Sequence, residues 1–522
     1  MLAQHPFASP STACSSSTFA NLRLFGAETL SLTAETVSNL TRTVPSAYTF
    51  HHPTLSVENA SFCNVTVSYT HPGQDDLLYV ETWLPMGHWN ERLQAVGGGG
   101  WVAGRSPLSE MAMVAALSEG YAAVTTDAGL RDADEPSGWA LINPGNINLY
   151  ALHNLASASL GDEAFIAKSL IKDFYGKPPK FSYWSGCSQG GQWGLMLAQR
   201  YPTAYDGIVA SAPAINWAEV LTSAYWPQFL MKKLGQYRHP CEFTYLAQTA
   251  IEGCDLLDGV ADGVISDEDA CHFDPFPVVR NTIECSEGKQ LVLSKGAATI
   301  SNATWSGLRA SDGRFLWYGL GYGADITGGR FKAGTALTSC DDDTCVSVSS
   351  PLVNPWFQLF VEKDASFDVD TITYEDLDRI YHMGVSEYNY MLGTNYPDLS
   401  AFRNAGWKLL TFHGLEDQII PPQGTGRYYR SVASRLPDVD DFYRRFEIPG
   451  LAHCFGGNNA TPKTSFEQLR AWVESGTKPD TVPVSFVDTN GQQFSRRLCP
   501  FPQKARFEGG DPTKDSNFSC RS

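Results

Sequence analysis

The chain has 522 residues, and its 38 basic and 56 acidic side chains give a formal net charge of −18. At roughly 150 residues per domain this length fits about three domains, or one large core with an insertion. Hydrophobic residues make up 43% of the chain, which excludes a mostly disordered protein. No run of about 18 apolar residues predicts a membrane span, and so acidic a surface would repel the phosphates of a nucleic acid. We therefore expect a soluble globular protein that binds neither membranes nor nucleic acids.

The cysteines and the glycosylation sequons indicate an extracellular protein. Twelve cysteines without a paired CxxC ligand set favour disulfides over structural zinc. N-x-S/T sequons, which accept N-linked glycans, begin at Asn39, Asn59, Asn64, Asn302, Asn459 and Asn517. The first residues, MLAQHPFASPSTACSSS, contain neither a basic n-region nor an apolar h-region. We interpret this pattern as a secreted, glycosylated protein whose signal peptide has been replaced by an initiator Met.

The first 215 residues alternate between predicted strands and helices. Strands are predicted within 64–70, 77–85, 92–101, 121–129, 181–185 and 206–213, and helices near 107–119 and directly after residue 188. This order of strand, glycine-rich loop, helix and strand is typical of a mainly parallel α/β sheet.

Residues from about 215 to 395 differ in composition and pattern from the first 215. They are rich in aromatics, cysteines, glycines and acidic loops and show little alternation of strands and helices. The alternation resumes with strands at 407–414 and 442–450 and a helix near 465–475. We interpret the middle segment as a lid inserted into one core. The predicted domains are a catalytic domain of residues 1–215 and 395–522 and a lid domain of residues 216–394.

Gly186-Cys187-Ser188-Gln189-Gly190 matches the G-x-S-x-G pattern of a nucleophile elbow. An elbow needs small flanking residues, because its serine occupies a strained turn between a strand and a helix. Five residues alone are weak evidence, and an ordinary glycine-rich turn is the alternative. The apolar strand before Ser188 and the helical pattern after it favour the elbow.

A serine nucleophile needs a histidine base, and the base needs an acid that orients it. In hydrolases with this elbow, the acid and then the histidine follow in loops after late strands. Asp417 lies three residues after Gly414, and His453 follows the strand at 442–450. Glu416 is the rival for the acid, and we prefer Asp417.

Two cysteines adjoin the predicted catalytic residues. Cys187 directly precedes Ser188, and Cys454 directly follows His453. If the serine and the histidine meet, the two cysteines can come within the Cα separation of about 5.5 Å that a disulfide needs. Such a bridge would limit drift in the positions of the catalytic groups. The alternative is two unrelated buried thiols.

An oxyanion hole needs two backbone N–H groups that point at one site. The N–H of Gln189 is one candidate, because it follows the nucleophile directly. The second is expected from the early glycine loop at 97–100, which is similar to an HGGG-type loop. Gly99 and Gly100 are both retained as candidates.

The sequence CDLLDGVADGV at 254–264 predicts a calcium loop within the lid. Hard oxygen ligands suit calcium, and the side chains of Asp255, Asp258 and Asp262 with the carbonyls of Val260 and Val264 supply them. The spacing differs from that of an EF-hand, and a solvated acidic turn is the alternative. Cys254 and Cys271 bracket the loop and are expected to close it.

These motifs together resemble the fungal tannase and feruloyl esterase family, whose Cys-Ser, Asp and His-Cys arrangement is matched from Cys187 to Cys454. The resemblance extends from Cys14 to Cys520 and implies an α/β-hydrolase core, a large inserted lid and calcium held by the five residues named above. It further implies the disulfides Cys14–Cys63, Cys187–Cys454, Cys254–Cys271 and Cys499–Cys520. The pairing of Cys241, Cys285, Cys340 and Cys345 is left open.

The predicted function is that of a secreted serine carboxylesterase that acts through an acyl-enzyme on Ser188. The resemblance implies a small aromatic substrate: feruloyl, caffeoyl or coumaroyl esters of plant cell walls, free or attached to a polysaccharide or polyphenol. Galloyl esters of tannins and a simple aromatic monoester are the alternatives within the family. A serine peptidase on the same fold and a catalytically inactive, calcium-stabilised binding module are the alternatives outside it.

Overall fold

The computed structural model describes residues 14–130, 135–285, 288–329, 333–341, 344–458, 460–488 and 490–522. Its centre is a sheet of nine strands. In chain order these are β1 (Glu28–Val44), β2 (Leu55–Thr70), β3 (Leu78–Pro85), β4 (Arg92–Val96), β5 (Ala122–Thr126), β6 (Phe181–Cys187), β7 (Gly207–Ser211), β8 (Lys408–Gly414) and β9 (Tyr443–Ile448). The order across the sheet is β1-β2-β3-β5-β4-β6-β7-β8-β9.

The pairing confirms the predicted α/β class. From β5 to β9 every neighbouring pair is parallel, whereas β1, β2, β3 and β5 pair antiparallel. Strands β6, β7 and β8 are buried almost throughout, because helices cover both faces of the sheet. Each strand predicted from the sequence overlaps one of these nine.

The helices of the described residues fall before, within and after the insertion. They are α1 (Pro107–Ser118), α2 (Leu149–His153), α3 (Ser159–Tyr175), α4 (Gln189–Arg200), α5 (Trp217–Leu234), α6 (Pro240–Cys254), α7 (Lys295–Ser306), α8 (Tyr374–Leu392), α9 (Ser400–Asn404), α10 (Pro422–Arg435) and α11 (Ser465–Ser475). Shorter strand pairs outside the sheet are 141–143 with 146–147, 282–284 with 290–292, 308–309 with 315–317, 338–341 with 344–347, 482–487 with 493–498, and 504–507 with 518–521.

Successive side chains of a strand point to opposite faces of the sheet, and this alternation builds two cores. In β8, Leu409 packs into a core that includes residues of α3 and α4. Its neighbour Leu410 packs into a second core with residues of α1 and α11. The molecule is therefore layered as helix, sheet and helix around the strands that precede the candidate site.

The described residues of the segment 216–394 contribute no strand to the large sheet. Their apolar side chains nevertheless join the core on the α3 and α4 face, and Phe360 stacks on Trp101 with ring centroids 4.8 Å apart. The division into a catalytic domain and a lid domain stays a prediction. Sequence reasoning did not delimit α5 to α8, which supply most of the regular structure of this segment.

Six disulfides cross-link the chain. They join Cys14 to Cys63, Cys187 to Cys454, Cys241 to Cys285, Cys254 to Cys271, Cys340 to Cys345 and Cys499 to Cys520. The four predicted pairs are confirmed, and the remaining four cysteines pair within the insertion.

A search of the described residues finds no helix that is both long and apolar enough to cross a membrane.

Candidate active site

Ser188 occupies a strained turn between β6 and α4. Its φ of 62° and ψ of −121° lie in a region that a residue with a side chain rarely adopts. The flanking glycines are required by space, since a Cβ on Gly186 would lie 2.5 Å from the carbonyl oxygen of Gly190. The Ser188 N–H donates to the carbonyl of Ser211 at 3.0 Å. These contacts hold the serine at the carboxyl end of the parallel strands, as an elbow requires.

Asp417 and His453 form a hydrogen-bonded pair near this turn. His453 Nδ1 and Asp417 Oδ2 are 2.8 Å apart, while Asp417 Oδ1 accepts the N–H groups of Ile419 and Ile420. Burial opposes ionisation of Asp417, but the charge of His453 and hydrogen bonds from His413 and His453 hold its pKa below the usual range. The buried carboxylate therefore stays ionised and orients the imidazole.

The loops of the acid and the histidine are joined by further hydrogen bonds. The Glu416 N–H donates to the Leu451 carbonyl at 3.1 Å, and the His453 N–H donates to Gln418 Oε1 at 3.0 Å. Asp417, and not its rival Glu416, contacts His453. Gln418 was not predicted, because its role depends on a loop that lies 35 residues away in the chain.

The Cys187–Cys454 disulfide links the serine turn to the histidine loop, with the two Cα atoms 6.0 Å apart. Cys454 itself has a φ of 62°. In the described part of the chain, the Ser188 hydroxyl makes no hydrogen bond, so the bridge brings the two loops together without a formed serine–histidine contact. Hydrogen bonds between catalytic groups commonly tighten only when substrate binds.

The glycine loop supplies fewer oxyanion donors than the sequence suggests. The Gly99 N–H donates to the Val102 carbonyl at 3.0 Å, and Val102 donates back to Gly99 at 3.1 Å. The prediction for Gly99 is therefore wrong in this conformation, because its donor is already used inside the loop. Gly100, with φ of 60°, donates no backbone hydrogen bond among the described residues, and the N–H of Gln189 lies at the free amino end of α4.

His51 is a buried neighbour of the site that no motif predicts. Its Nδ1 lies 2.9 Å from Ser185 Oγ and its Nε2 lies 2.6 Å from Ser211 Oγ. Burial, with a smaller contribution from the charge of His52, lowers the pKa of His51 well below its ordinary value, so the ring is neutral. It joins the ends of β6 and β7 just before the Ser188 turn.

The predicted calcium loop presents buried carboxylates with an incomplete set of partners. Arg496 binds Asp262 Oδ2, whereas Asp262 Oδ1 is buried without a partner. Burial raises the pKa of Asp262 to about 7 and also raises that of Asp258. Asp255 accepts the N–H groups of Asp262 and Gly263.

This donor set fits a hard cation in part. The orphaned oxygen and the raised pKa values indicate missing positive charge, which Arg496 only partly supplies. Three potential metal ligands from His, Cys, Asp or Glu lie within 4.8 Å of one another at one place in the described residues. They belong to His239, Cys241 and Cys285, and the two sulfurs are joined in a disulfide. The carboxylate oxygens of the three aspartates therefore do not all lie within 4.8 Å of one another.

The sequons differ in their accessibility. Asn39 and Asn59 are exposed, whereas Asn302 and Asn517 are half-buried. The amide nitrogen of Asn64 donates to Glu81 Oε1 at 3.2 Å and its Oδ1 is buried, so this side chain is poorly placed to accept a glycan. Asn459 lies outside the described residues.

The α/β-hydrolase class is defined by a strained serine after a parallel strand and by a carboxylate–histidine pair in the loops that follow later strands of the sheet. Here the serine follows β6, and the pair lies in the loops after β8 and β9. The family model for tannase and feruloyl esterase matches residues 63–521. The chain therefore belongs to the tannase and feruloyl esterase family and is a carboxylic ester hydrolase.

Individual relatives agree with this family. The chain is 38% identical over 469 residues to the probable feruloyl esterase of Arthroderma benhamiae, covering 88% of this chain and 85% of that protein. It is 28% identical over 524 residues to a tannase of Aspergillus oryzae, covering 89% and 86% of the two chains.

Two solved structures are similar over nearly the whole chain. The tannin acyl hydrolase of Aspergillus niger has a TM-score of 0.87 and 25% identity, and the match covers 98% of this chain and 95% of that one. Feruloyl esterase B of Aspergillus oryzae has a TM-score of 0.80 at 24% identity over 98% and 100%, which shows the shared fold.

Proposed function

We propose that this protein is a serine carboxylesterase for phenolic acid esters, with Ser188, Asp417 and His453 as its catalytic triad. The observation that carries the proposal is the linked geometry of the strained Ser188 turn, the Cys187–Cys454 bridge and the 2.8 Å contact between His453 and Asp417. A serine held in this strained conformation after a parallel strand favours a nucleophile over an inactive binding module.

The proposed reaction uses His453 Nε2, because the other ring nitrogen of His453 is hydrogen-bonded to Asp417. Asp417 occupies His453 Nδ1, so Nε2 accepts the proton of Ser188 Oγ while that oxygen attacks the ester carbonyl. The oxyanion forms against the N–H groups of Gln189 and Gly100. The protonated His453 then gives its proton to the leaving alcohol, and water hydrolyses the acyl-enzyme by the same steps.

The preferred substrates are proposed to be feruloyl, caffeoyl or coumaroyl esters. The relative at 38% identity carries the name feruloyl esterase, and the tannase match is more distant in sequence. An aryl acid also needs an apolar slot with few polar anchors. Attachment of the ester to a polysaccharide or polyphenol is part of the same proposal.

A rate panel tests this assignment. We expect higher kcat/KM for methyl ferulate, caffeate and coumarate than for methyl gallate, and no turnover by Ser188→Ala. Faster hydrolysis of methyl gallate would instead assign a tannase, and cleavage restricted to peptide substrates would contradict the esterase proposal.

We further propose that calcium binds the loop of Asp255, Asp258 and Asp262 with the carbonyls of Val260 and Val264. A calcium ion there would neutralise buried carboxylates and stabilise the fold. We expect a chelator to lower Tm by several degrees and added calcium to restore it, measured by calorimetry. Asp262→Asn should lose this response and exposed Asp312→Asn should keep it; equal Tm values with chelator and calcium would contradict the proposal.

Secretion and glycosylation remain part of this proposal. Six disulfides fit an oxidising compartment, and the exposed Asn39 and Asn59 are the preferred glycan sites. The segment 216–394 is proposed to act as a lid domain over the core formed by 1–215 and 395–522.

A further inference from the structure

A groove opens on the surface at the end of α4 that is far from Ser188. It has a volume of about 680 Å³ and is lined by one face of α4, one face of α8 and the loop that follows α8. Its residues on α4 are Met196, Gln199 and Arg200, which a rise of about 1.5 Å per residue places roughly 12–18 Å along the helix from Ser188. The groove is therefore separate from the candidate active site, and its volume is typical of ligand sites, which measure about 300–1,000 Å³.

Two exposed tyrosine rings are the main apolar surfaces of this groove. Tyr390 at the end of α8 is 66% exposed, and Tyr396 in the following loop is 61% exposed. In the described part of the chain, neither ring packs against another aromatic ring and neither hydroxyl makes a hydrogen bond. Single exposed apolar side chains are common, but two unpartnered tyrosine rings that line one groove indicate a binding surface.

The backbone that carries the two rings is held by hydrogen bonds from neighbouring helices. Arg200 of α4 donates to the Tyr390 carbonyl at 2.7 Å. The hydroxyl of Tyr428 in α10 donates to the Tyr396 carbonyl at 3.3 Å. Because the positions of both rings are fixed in this way, little further conformational freedom is lost when a ligand binds.

The polar lining of the groove consists mainly of neutral amides. Asn395 Nδ2 donates to Asn389 Oδ1 at 3.1 Å, and Gln199 Nε2 donates to the Thr394 carbonyl at 2.9 Å. Within the described residues, these contacts leave three amide atoms unbonded and open to solvent, namely Asn389 Nδ2, Asn395 Oδ1 and Gln199 Oε1. One is a donor and two are acceptors, which suits a ligand whose hydroxyl groups both donate and accept.

The charge of the groove favours a neutral ligand. Its lining among the described residues contains no carboxylate and one cation, Arg200. That guanidinium is bonded to Ser157 Oγ at 2.9 Å and to the Tyr390 carbonyl, and the net charge of −18 repels polyanions. An apolar protein surface would bury the free amide atoms without partners, which is costly.

We propose that this groove is a second binding site, which holds a neutral polysaccharide chain. Tyr390 and Tyr396 stack on the C–H faces of its sugar rings, and the amides of Gln199, Asn389 and Asn395 bond to its hydroxyl groups. The chain is the polymer to which the phenolic ester is attached, so that binding here raises the concentration of ester near Ser188. This role in turnover rests on the proposed function, whereas the binding of a sugar chain does not.

Titration calorimetry with neutral β-1,4-linked hexasaccharides of xylose, glucose and mannose tests the binding. At least one should bind the wild type, and Tyr390→Ala and Tyr396→Ala should each raise its Kd about fivefold, because each removes one stacking surface. Phenylalanine at both positions should keep Kd within about twofold, since the ring face makes the contact. Tyr150→Ala is the matched control, because Tyr150 is 49% exposed on α2 and does not line the groove.

Three results would overturn the site. The first is the absence of binding by the wild type, or equal Kd values in the wild type and both alanine variants. The second is tighter binding of the acidic hexagalacturonate than of every neutral chain. The third is a wild-type dimer, seen by sedimentation, that the alanine changes dissociate, because the groove would then be occupied by a second copy of the chain.

The role in turnover is tested with an insoluble polysaccharide that carries feruloyl esters. The double alanine variant should release ferulate about fivefold more slowly than the wild type and keep the wild-type kcat/KM for methyl ferulate. Equal rates on the polymer, with weakened binding of the hexasaccharide, would overturn this role. Calorimetry needs no turnover, so it still tests the groove if the wild type hydrolyses neither ester and the proposed function fails.

Discussion

At the residue scale, the ionised carboxylate of Asp417 is the group on which the orientation of His453 depends. Asp417→Asn would place an amide where the carboxylate accepts four hydrogen bonds, from His413, His453, Ile419 and Ile420. We expect kcat to fall about 10³–10⁴-fold with little change in fold, as for other triads that lose their acid.

Steady-state kinetics with methyl ferulate, together with circular dichroism, provides the measurement. Asp480→Asn is the matched control, because its side chain is 85% exposed and it should retain wild-type kcat. A kcat for Asp417→Asn within threefold of the wild type would contradict this role.

The predictability of individual residues follows from how local their contacts are. Asp417 and His453 were predicted because parallel strands bring the loops at their carboxyl ends to one edge of the sheet. His51 was not, since its partners Ser185 and Ser211 lie 134 and 160 residues away and no local pattern records them. The Gly99 N–H is bonded to the Val102 carbonyl within the same loop. This contact depends on the conformation of a turn, which the four consecutive glycines do not specify.

At the element scale, the Cys187–Cys454 bridge joins β6 to the loop after β9 across 267 residues. Replacing both cysteines by serine should lower the free energy of unfolding by about 4 kcal/mol, because the unfolded chain loses its largest cross-link. We also expect kcat to fall at least tenfold, since the serine and histidine loops can then drift apart.

Denaturant unfolding and methyl ferulate kinetics measure the two effects. The Cys340–Cys345 pair is the control, because it closes only 5 residues within a strand pair of the insertion, and its removal should leave kcat unchanged. Full activity without the Cys187–Cys454 bridge would refute its role in the site.

Strands and helices were predictable from the sequence where their burial leaves a clear pattern of apolar residues. The strands β6, β7 and β8 are buried on both faces, so their apolar runs are visible in the sequence. Strand β1 was not predicted, because most of its residues are exposed and it is held by pairing with β2. Helix α5 is buried nearly all round and contains Pro227, which obscures helical periodicity.

At the scale of the whole molecule, a charged cluster contributes to the dependence of stability on pH. His71 follows β2 and lies between Asp76, 2.7 Å from its Nδ1, and Asp162 of α3, 3.1 Å from its Nε2. Its hydrogen bond to Asp162 contributes most, and with that to Asp76 it outweighs burial and raises the pKa of His71 to about 9.

The raised pKa means that this cluster stabilises the folded state fully below about pH 6.5 and loses that effect as pH rises through 9. His71→Gln should therefore lower Tm by about 2–4 °C at pH 6 and by little at pH 10. Scanning calorimetry at the two pH values, with exposed His88→Gln as control, measures this. An equal loss of Tm at both would contradict a charged His71.

A serine-reactive aryl phosphonate, followed by intact-protein and peptide mass spectrometry, tests whether Ser188 is the nucleophile of a serine esterase. We expect one covalent adduct on the peptide that contains Ser188, with loss of esterase activity in proportion to labelling and no adduct on Ser188→Ala. An unlabelled Ser188 in a protein that still hydrolyses methyl ferulate would contradict it.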